Sequence, residues 1–358
     1  MRPWLELLRI SNLPTVWSNL IAGGVVSAAF EGRVSVVPMT IVLIAGSCLY
    51  LAGMVLNDVF DAAIDARERP GRPIPSGRVS MRAAAIAGWG LLAIGAGLPW
   101  LVSMTAGSVA VVIAVLVVFY DLWHARTAWS VVLMGLCRSG LYLLGAAGVG
   151  APGSPEGWIA LPLLMGLPVL IHVASFSMIA RGEVPDVRPA CPGCGQIVLK
   201  DATICPECGG RCDAEVRIAR TEAVRDVARG WWSTGTMALL LPFLGCCSLM
   251  GLISRTEGPG PGGVAYWLIG LSLLVVLVVG AYLVNTSRHL ARHPQAVGRF
   301  VLRSIATLSL FDAGLAVVVG SRVIGRPDAA PLTATLGAGA CLACFVLTRL
   351  AHRRIAGT

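Results

Sequence analysis

The chain has 358 residues, 56% of them hydrophobic and only 13% charged, with a mean hydropathy of +0.77. That balance excludes a soluble domain and describes a polytopic membrane protein. The formal charge of +9 is not the mark of a nucleic-acid binder, because basic residues in a membrane protein first report topology. Nor do 11 cysteines imply disulfides, since several lie in apolar stretches where small residues pack helices together.

At the N-terminus Trp4, Leu5, Leu7 and Leu8 give a short amphipathic helix suited to the interface. Met1–Asn12 carries Arg2 and Arg9 but too little apolar length before Pro14 for a cleavable signal. Apolar segments of about 20 residues then begin near 13, 37, 83, 105, 129, 157, 231, 264, 300 and 331. Placing the loop 58–82 in the cytoplasm and alternating from there leaves only Arg33, Arg255, Arg322 and Arg326 on the outer side. This positive-inside pattern puts both termini in the cytoplasm and Ser154–Trp158 and Glu257–Gly263 outside.

Where the second segment ends, the chain reads LNDVFDAAIDARERPGRPIPSG, from Leu56 to Gly77. Spacings of three and four put Asp58, Asp61 and Asp65 on one face of a helix. Stacked carboxylates repel one another unless a cation lies between them, and oxygen-only ligands select a hard ion such as Mg2+. Asn57 precedes them as an orienting amide, and Arg67, Arg69, Arg72 and Arg78 follow. A metal with arginines is suitable equipment for a diphosphate. Pro70, Pro73 and Pro75 stop the helix and stiffen the loop, keeping the arginines near the acids.

NDxxDxxxD at a helix end, followed by ERPxRPIPSG, resembles the UbiA superfamily of intramembrane prenyltransferases. The resemblance implies an all-α polytopic membrane protein, a bundle of nine to ten transmembrane helices with a cavity open to the cytoplasm. It also implies basic contacts to the diphosphate from the loop YDLWHART, 120–127. Tyr120 and Arg126 match the family there, while His124 stands where relatives carry lysine and is charged at neutral pH only if its pKa is raised. An ordinary positive-inside loop is the competing reading of that stretch. Relatives bear a second aspartate-rich motif at the end of the sixth helix. Here only Glu183 and Asp186 remain, on either side of Pro185, so a second Mg2+ site is reduced. MIARGEV, MGLCRSGLYLLGA and SLFDAGLA are similar to the EboC-like branch of the superfamily, which is linked to precursor export.

Between Pro185 and Asp213 the sequence is foreign to a membrane helix. Cys191, Cys194, Cys205 and Cys208 sit in CPGCG and CPECG repeats, the spacing of a four-thiolate zinc ribbon. A glycine after each second cysteine permits the left-handed turn that aims N–H groups at sulfur. Disulfides compete, but the loop faces a reducing compartment; Cys212 is a bystander. From Asp213 to Arg229 a polar segment with Val216, Ala219, Ala223 and Val227 along one stripe predicts a surface helix, and Trp231 and Trp232 mark the interface where the next helix starts. His289 and His293, four apart, have a spacing that could ligate a metal, but Arg288, Arg292 and Arg299 around them favour a solvated cationic loop, and the Cys341–Cys344 spacing is incidental.

Arg138, His172 and Asp312 each fall about nine residues inside a segment, roughly 13 Å below the cytoplasmic edge. Ionisable groups at that depth face the interior and pair, so Arg138 and Asp312 are expected to meet, with His172 nearby; the alternative is that each satisfies itself separately. The chain divides into 1–184, the first part of the bundle with the acidic motif, 185–212, the zinc ribbon, and 213–358, the surface helix and remaining helices. The expected function is transfer of an isoprenoid group from a prenyl diphosphate to a hydrophobic or aromatic acceptor in the cytoplasmic membrane. Mg2+ serves the site and Zn2+ the ribbon, which faces the cytoplasm and offers a surface to a soluble protein. The alternative is a non-catalytic EboC-like protein that binds lipid or assists export.

Overall fold

The computed structural model describes residues 2–31, 36–124, 127, 129–149, 155–181, 204–205, 208–211, 274, 277–286, 288–289, 297–321 and 330–354. Its helices are α1 (Arg2–Leu8), α2 (Leu13–Glu31), α3 (Val36–Phe60), α4 (Ala62–Glu68), α5 (Met81–Gly97) and α6 (Met104–Trp123). They continue with α7 (Ser130–Ala147), α8 (Pro155–Arg181), α9 (Leu277–Thr286), α10 (Val297–Ser321) and α11 (Ala330–Arg354). Among the described residues six helices, α3, α5, α6, α7, α10 and α11, are long and apolar enough to cross a membrane. The chain is thus a multi-pass membrane protein. Segments expected from about 13, 37, 83, 105, 129, 157, 300 and 331 coincide with α2, α3, α5–α8, α10 and α11. The segment expected near 231 and the surface helix 213–229 lie outside the described residues, and α9 represents the end of the one expected near 264.

Helix α2 sits at the middle, packed against α3, α7, α8, α10 and α11. In a bilayer, close backbone approach rather than apolar burial drives helices together, and small residues permit it. Gly145 of α7 lies directly on the Leu20 carbonyl of α2, and Gly23 of α2 lies on the Tyr142 backbone of α7. A Cβ at Gly95 of α5 would come 2.9 Å from the Leu49 amide of α3. Side chains fill the remaining space in two clusters. One joins Tyr142, Val169, Phe300 and Leu308; the other joins Leu20, Leu49, Leu56 and Leu144.

The helix ends are set locally. Ser80 and Ser103 cap α5 and α6, their hydroxyls accepting from the Ala83 and Ala106 amides at 3.2 and 3.0 Å. The proline-rich loop before α5 folds back on the bundle: Ile74 and Val79 are buried with Leu7, Val55 and Ala84. Its reversal uses Gly77 at φ 72°, a conformation that glycine adopts without strain.

Candidate functional site

The acidic motif lies where α3 gives way to α4. Only Asp61 interrupts the helical assignment, and the backbone ladder runs through it, from Asp61 N–H to the Asn57 carbonyl at 2.9 Å and from Asp65 N–H to the Asp61 carbonyl at 2.8 Å. Asp58 and Asp65, two turns apart, therefore share a side, whereas Asp61 turns away. This departs from the expected row of three. Arg72 Nη1 donates to Asp58 Oδ1 at 3.1 Å and to Asp65 Oδ2 at 2.8 Å. Both carboxylates are about one-twentieth exposed. Asp61 Oδ2 instead meets His124 Nε2 at 2.9 Å.

His124 answers the question that the missing lysine poses. Burial by itself would lower its pKa, but the hydrogen bond and charge of Asp61 outweigh this and raise it above its ordinary value. The contact with Asp61 thus favours the charged form of the ring and holds it against one motif acid. Asn57 is also drawn to this side: its Nδ2 lies 3.4 Å from Asp121 Oδ1 and 3.5 Å from His124 Nε2. The second oxygen of Asp121 is buried with no hydrogen-bond partner among the described residues.

Two residues outside the motif complete the mouth. Asp121 was passed over in the sequence, although an acid within a membrane span is by default a functional candidate. Arg9, which the sequence offers only as a basic residue before the first apolar segment, is the other. Its Nη2 donates to Asp58 Oδ1 at 3.0 Å, and its backbone stands at φ 44°, ψ 45°, the one non-glycine residue with positive φ among those described. Such strain persists where the surroundings enforce it. Here Tyr50 does so by donating its hydroxyl to the Arg9 carbonyl at 3.1 Å.

Arg67 and Arg69 lie on the exposed side and point at none of the acids. Arg78 ties the loop down through Glu6 Oε2 at 3.0 Å and the Gly71 carbonyl at 2.7 Å. Arg126, Glu183 and Asp186 lie outside the described residues, as do Cys191, Cys194, Cys212 and His293. Of the segment expected as a ribbon, residues 204–205 and 208–211 are described. Cys205 is buried, Gly209 has φ 68°, and Cys205 and Gly209 are joined by the Gly209 N–H to Cys205 carbonyl bond of 2.9 Å. The glycine turn is therefore the left-handed one expected.

Asp61 is engaged by His124, apart from the Asp58 and Asp65 pair on Arg72. The pair Asp58 and Asp65 does fit a cation, since both already converge on a single positively charged nitrogen.

Deeper in, Asp312 of α10 is fully buried and accepts from Ser18 Oγ at 2.6 Å, Asn19 Nδ2 at 2.8 Å and the Tyr142 hydroxyl. Arg138 Nη1 donates to Asn19 Oδ1 at 3.1 Å. Arg138 and Asp312 thus meet through Asn19 and not directly. His172 bonds elsewhere, its Nε2 lying 3.1 Å from the Ser304 carbonyl.

These features define a membrane-embedded helical bundle with an acid-rich cluster where α3 gives way to α4. Residues 13–189 match the UbiA prenyltransferase family. It is 33% identical over 165 residues to the digeranylgeranylglyceryl phosphate synthase of Methanopyrus kandleri, covering 45% of this chain and 58% of the relative. With the synthase of the same name from Methanosarcina mazei it shares 28% identity, covering 52% and 65%. The chain thus spans less than two thirds of either relative. In fold it resembles the apo UbiA homolog from Aeropyrum pernix K1, with a TM-score of 0.54 at 17% identity, covering 84% of this chain and 96% of that one.

Proposed function

We propose that the protein is a Mg2+-dependent intramembrane prenyltransferase that moves an isoprenoid group from a prenyl diphosphate to an acceptor. The observation that carries the reading is the convergence of Asp58 and Asp65 on one nitrogen of Arg72. Two carboxylates arranged around one positive point suit a hard divalent ion. In this reading Asp58 and Asp65 hold Mg2+, with Asn57 and Asp61 orienting the site and the reduced Glu183–Asp186 pair completing it. When bound, Mg2+ supplies charge stabilisation to the departing diphosphate. Arg72, released from the acids, turns with Arg67, His124 and Arg126 to the phosphate oxygens. The allylic C–O bond breaks with its electron pair leaving on the diphosphate. The acceptor's nucleophilic atom forms the new bond to that carbon and gives up a proton.

The names of the relatives make a glyceryl phosphate-like acceptor the leading class. The mouth is assigned to the cytoplasmic face of the inner membrane, under a zinc ribbon of Cys191, Cys194, Cys205 and Cys208 that offers a surface to a soluble partner. A second reading, a non-catalytic EboC-like protein that binds lipid or assists export, draws on the histidine at 124 and the reduced second motif. Binding and turnover of geranyl and longer prenyl diphosphates, with and without Mg2+, separate the two. The enzyme reading expects Mg2+-dependent binding that disappears in Asp58→Asn. A folded wild type that neither binds nor consumes any prenyl diphosphate leaves the non-catalytic reading in its place.

A further inference from the structure

Arg138 is a cation inside the membrane that no carboxylate among the described residues holds. It belongs to the span Ser130–Ala147, and among the described residues its one hydrogen bond runs from Nη1 to Asn19 Oδ1. No acid among them lies within ion-pair reach. Asp312, the nearest candidate, is already surrounded by Ser18, Asn19 and Tyr142. The guanidinium stacks over Tyr50, its Cζ 5.8 Å from the ring centroid, and the residue is only half-buried. An arginine within a bilayer faces the interior and needs a partner. Five donors with one hydrogen bond leave most of the planar fork available, and that fork matches a carboxylate or phosphate in bidentate fashion.

The fork also lies beside the acidic mouth. Tyr50 stacks under Arg138 and bonds to Arg9, which in turn binds Asp58. Two residues therefore connect Arg138 with the motif. Along α3, Tyr50 precedes Asp58 by eight positions, about 12 Å of helix.

We infer that Arg138, on its Tyr50 platform and braced by Asn19, is a subsite for an anionic group of the acceptor, a carboxylate or a phosphate. An acceptor lying along α3 has its nucleophile at the mouth and its charge at Arg138. The assignment of this anion to the acceptor rests on the prenyltransferase reading; the anion site itself does not.

The test uses the full chain in phosphatidylcholine nanodiscs. Binding is measured for 4-hydroxybenzoate against 4-hydroxybenzyl alcohol, and for an alkylglyceryl phosphate against the same alkylglycerol. The first pair represents a free carboxylate and the second a lipid phosphate. In wild type one anion is expected to bind at least about tenfold tighter than its uncharged analogue. Arg138→Gln is expected to bring that ratio to within about twofold, Arg138→Lys to keep part of it, and Tyr50→Leu to reduce it. A merely structural arginine would not move the ratio. Geranyl thiodiphosphate, measured with Mg2+, should bind Arg138→Gln as it binds wild type. The proposal is overturned if wild type prefers neither anion, or if the preference survives Arg138→Gln; should that variant not fold, survival in both Arg138→Lys and Tyr50→Leu at full strength overturns it. If the thiodiphosphate fails to bind while the Arg138-dependent preference holds, the prenyltransferase reading falls and the anion site stands.

Discussion

Arg72 and a divalent cation compete for the same two carboxylates, and this competition can be measured. Replacing Arg72 by methionine keeps an unbranched apolar stem and removes the charged head. Asp65 then loses its cation at 2.8 Å and Asp58 loses one of two, keeping Arg9 at 3.0 Å. Breaking a buried pair from one side costs about 3–5 kcal/mol. Arg72 is 24% exposed and Asp58 stays half-paired, so the lower end, about 3 kcal/mol, applies. At about 2.1 cal/mol/K of unfolding entropy per residue, 358 residues give about 1.3 °C per kcal/mol, so the melting temperature in EDTA should fall by about 4 °C. Mg2+ at about 100 times its Kd adds about 2.7 kcal/mol, enough to restore most of the loss. Wild type should gain less, because there the ion must displace the guanidinium first. Intrinsic fluorescence melting of the solubilised protein, with Mg2+ titrated from zero, reads both quantities. Equal melting of variant and wild type in EDTA, or equal Mg2+ stabilisation of the two, would refute the shared-cation geometry.

The His124–Asp61 pair predicts a pH dependence on the alkaline side. Because the folded pKa of His124 is raised from 6.5, its contribution is fully present below about pH 6.5 and is lost as pH rises through the folded value. Melting temperature should therefore decline from pH 6.5 towards 9 in wild type and stay flatter in His124→Gln. Gly145→Val should disrupt the contact of α7 with α2, because its Cβ meets the Leu20 carbonyl. A loss of about 1–3 kcal/mol or more is expected, read as lower melting temperature and yield. Gly90→Ala, which meets nothing within 4 Å, serves as control and should match or exceed wild type. Metal analysis should return about one zinc per chain, lost in Cys205→Ser and retained in Cys212→Ser.

What could be read from the sequence was whatever depends on local pattern. The helices α2, α3 and α5–α8 follow from runs of apolar residues, and the acidic motif follows from spacing along one helix. The glycine turn after Cys208 was legible for the same reason, since it depends on one residue's conformational freedom. The partners of those acids were not. Arg9 reaches Asp58 across 49 positions, and His124 reaches Asp61 across 63. Nothing in a spacing reports such a meeting. Asp61, one of the three acids expected in a row, is instead engaged by that same distant histidine. Depth counting did bring Arg138 and Asp312 to one level, but could not show that an asparagine on α2 stands between them.

The Asp312 network has a consequence for how the chain is made. An aspartate at the centre of a membrane helix opposes insertion by about 2.5–3.5 kcal/mol, which weighs on α10 as it leaves the translocon. Its partners, Ser18 and Asn19 of α2 and Tyr142 of α7, are synthesised well before it. The N-terminal helices can thus wait in the bilayer as a template with their donors in place. Helix α10 then leaves the insertion channel against a surface that already satisfies its acid. Assembly order follows from chain order, and an α10 expressed without α2 and α7 should integrate poorly.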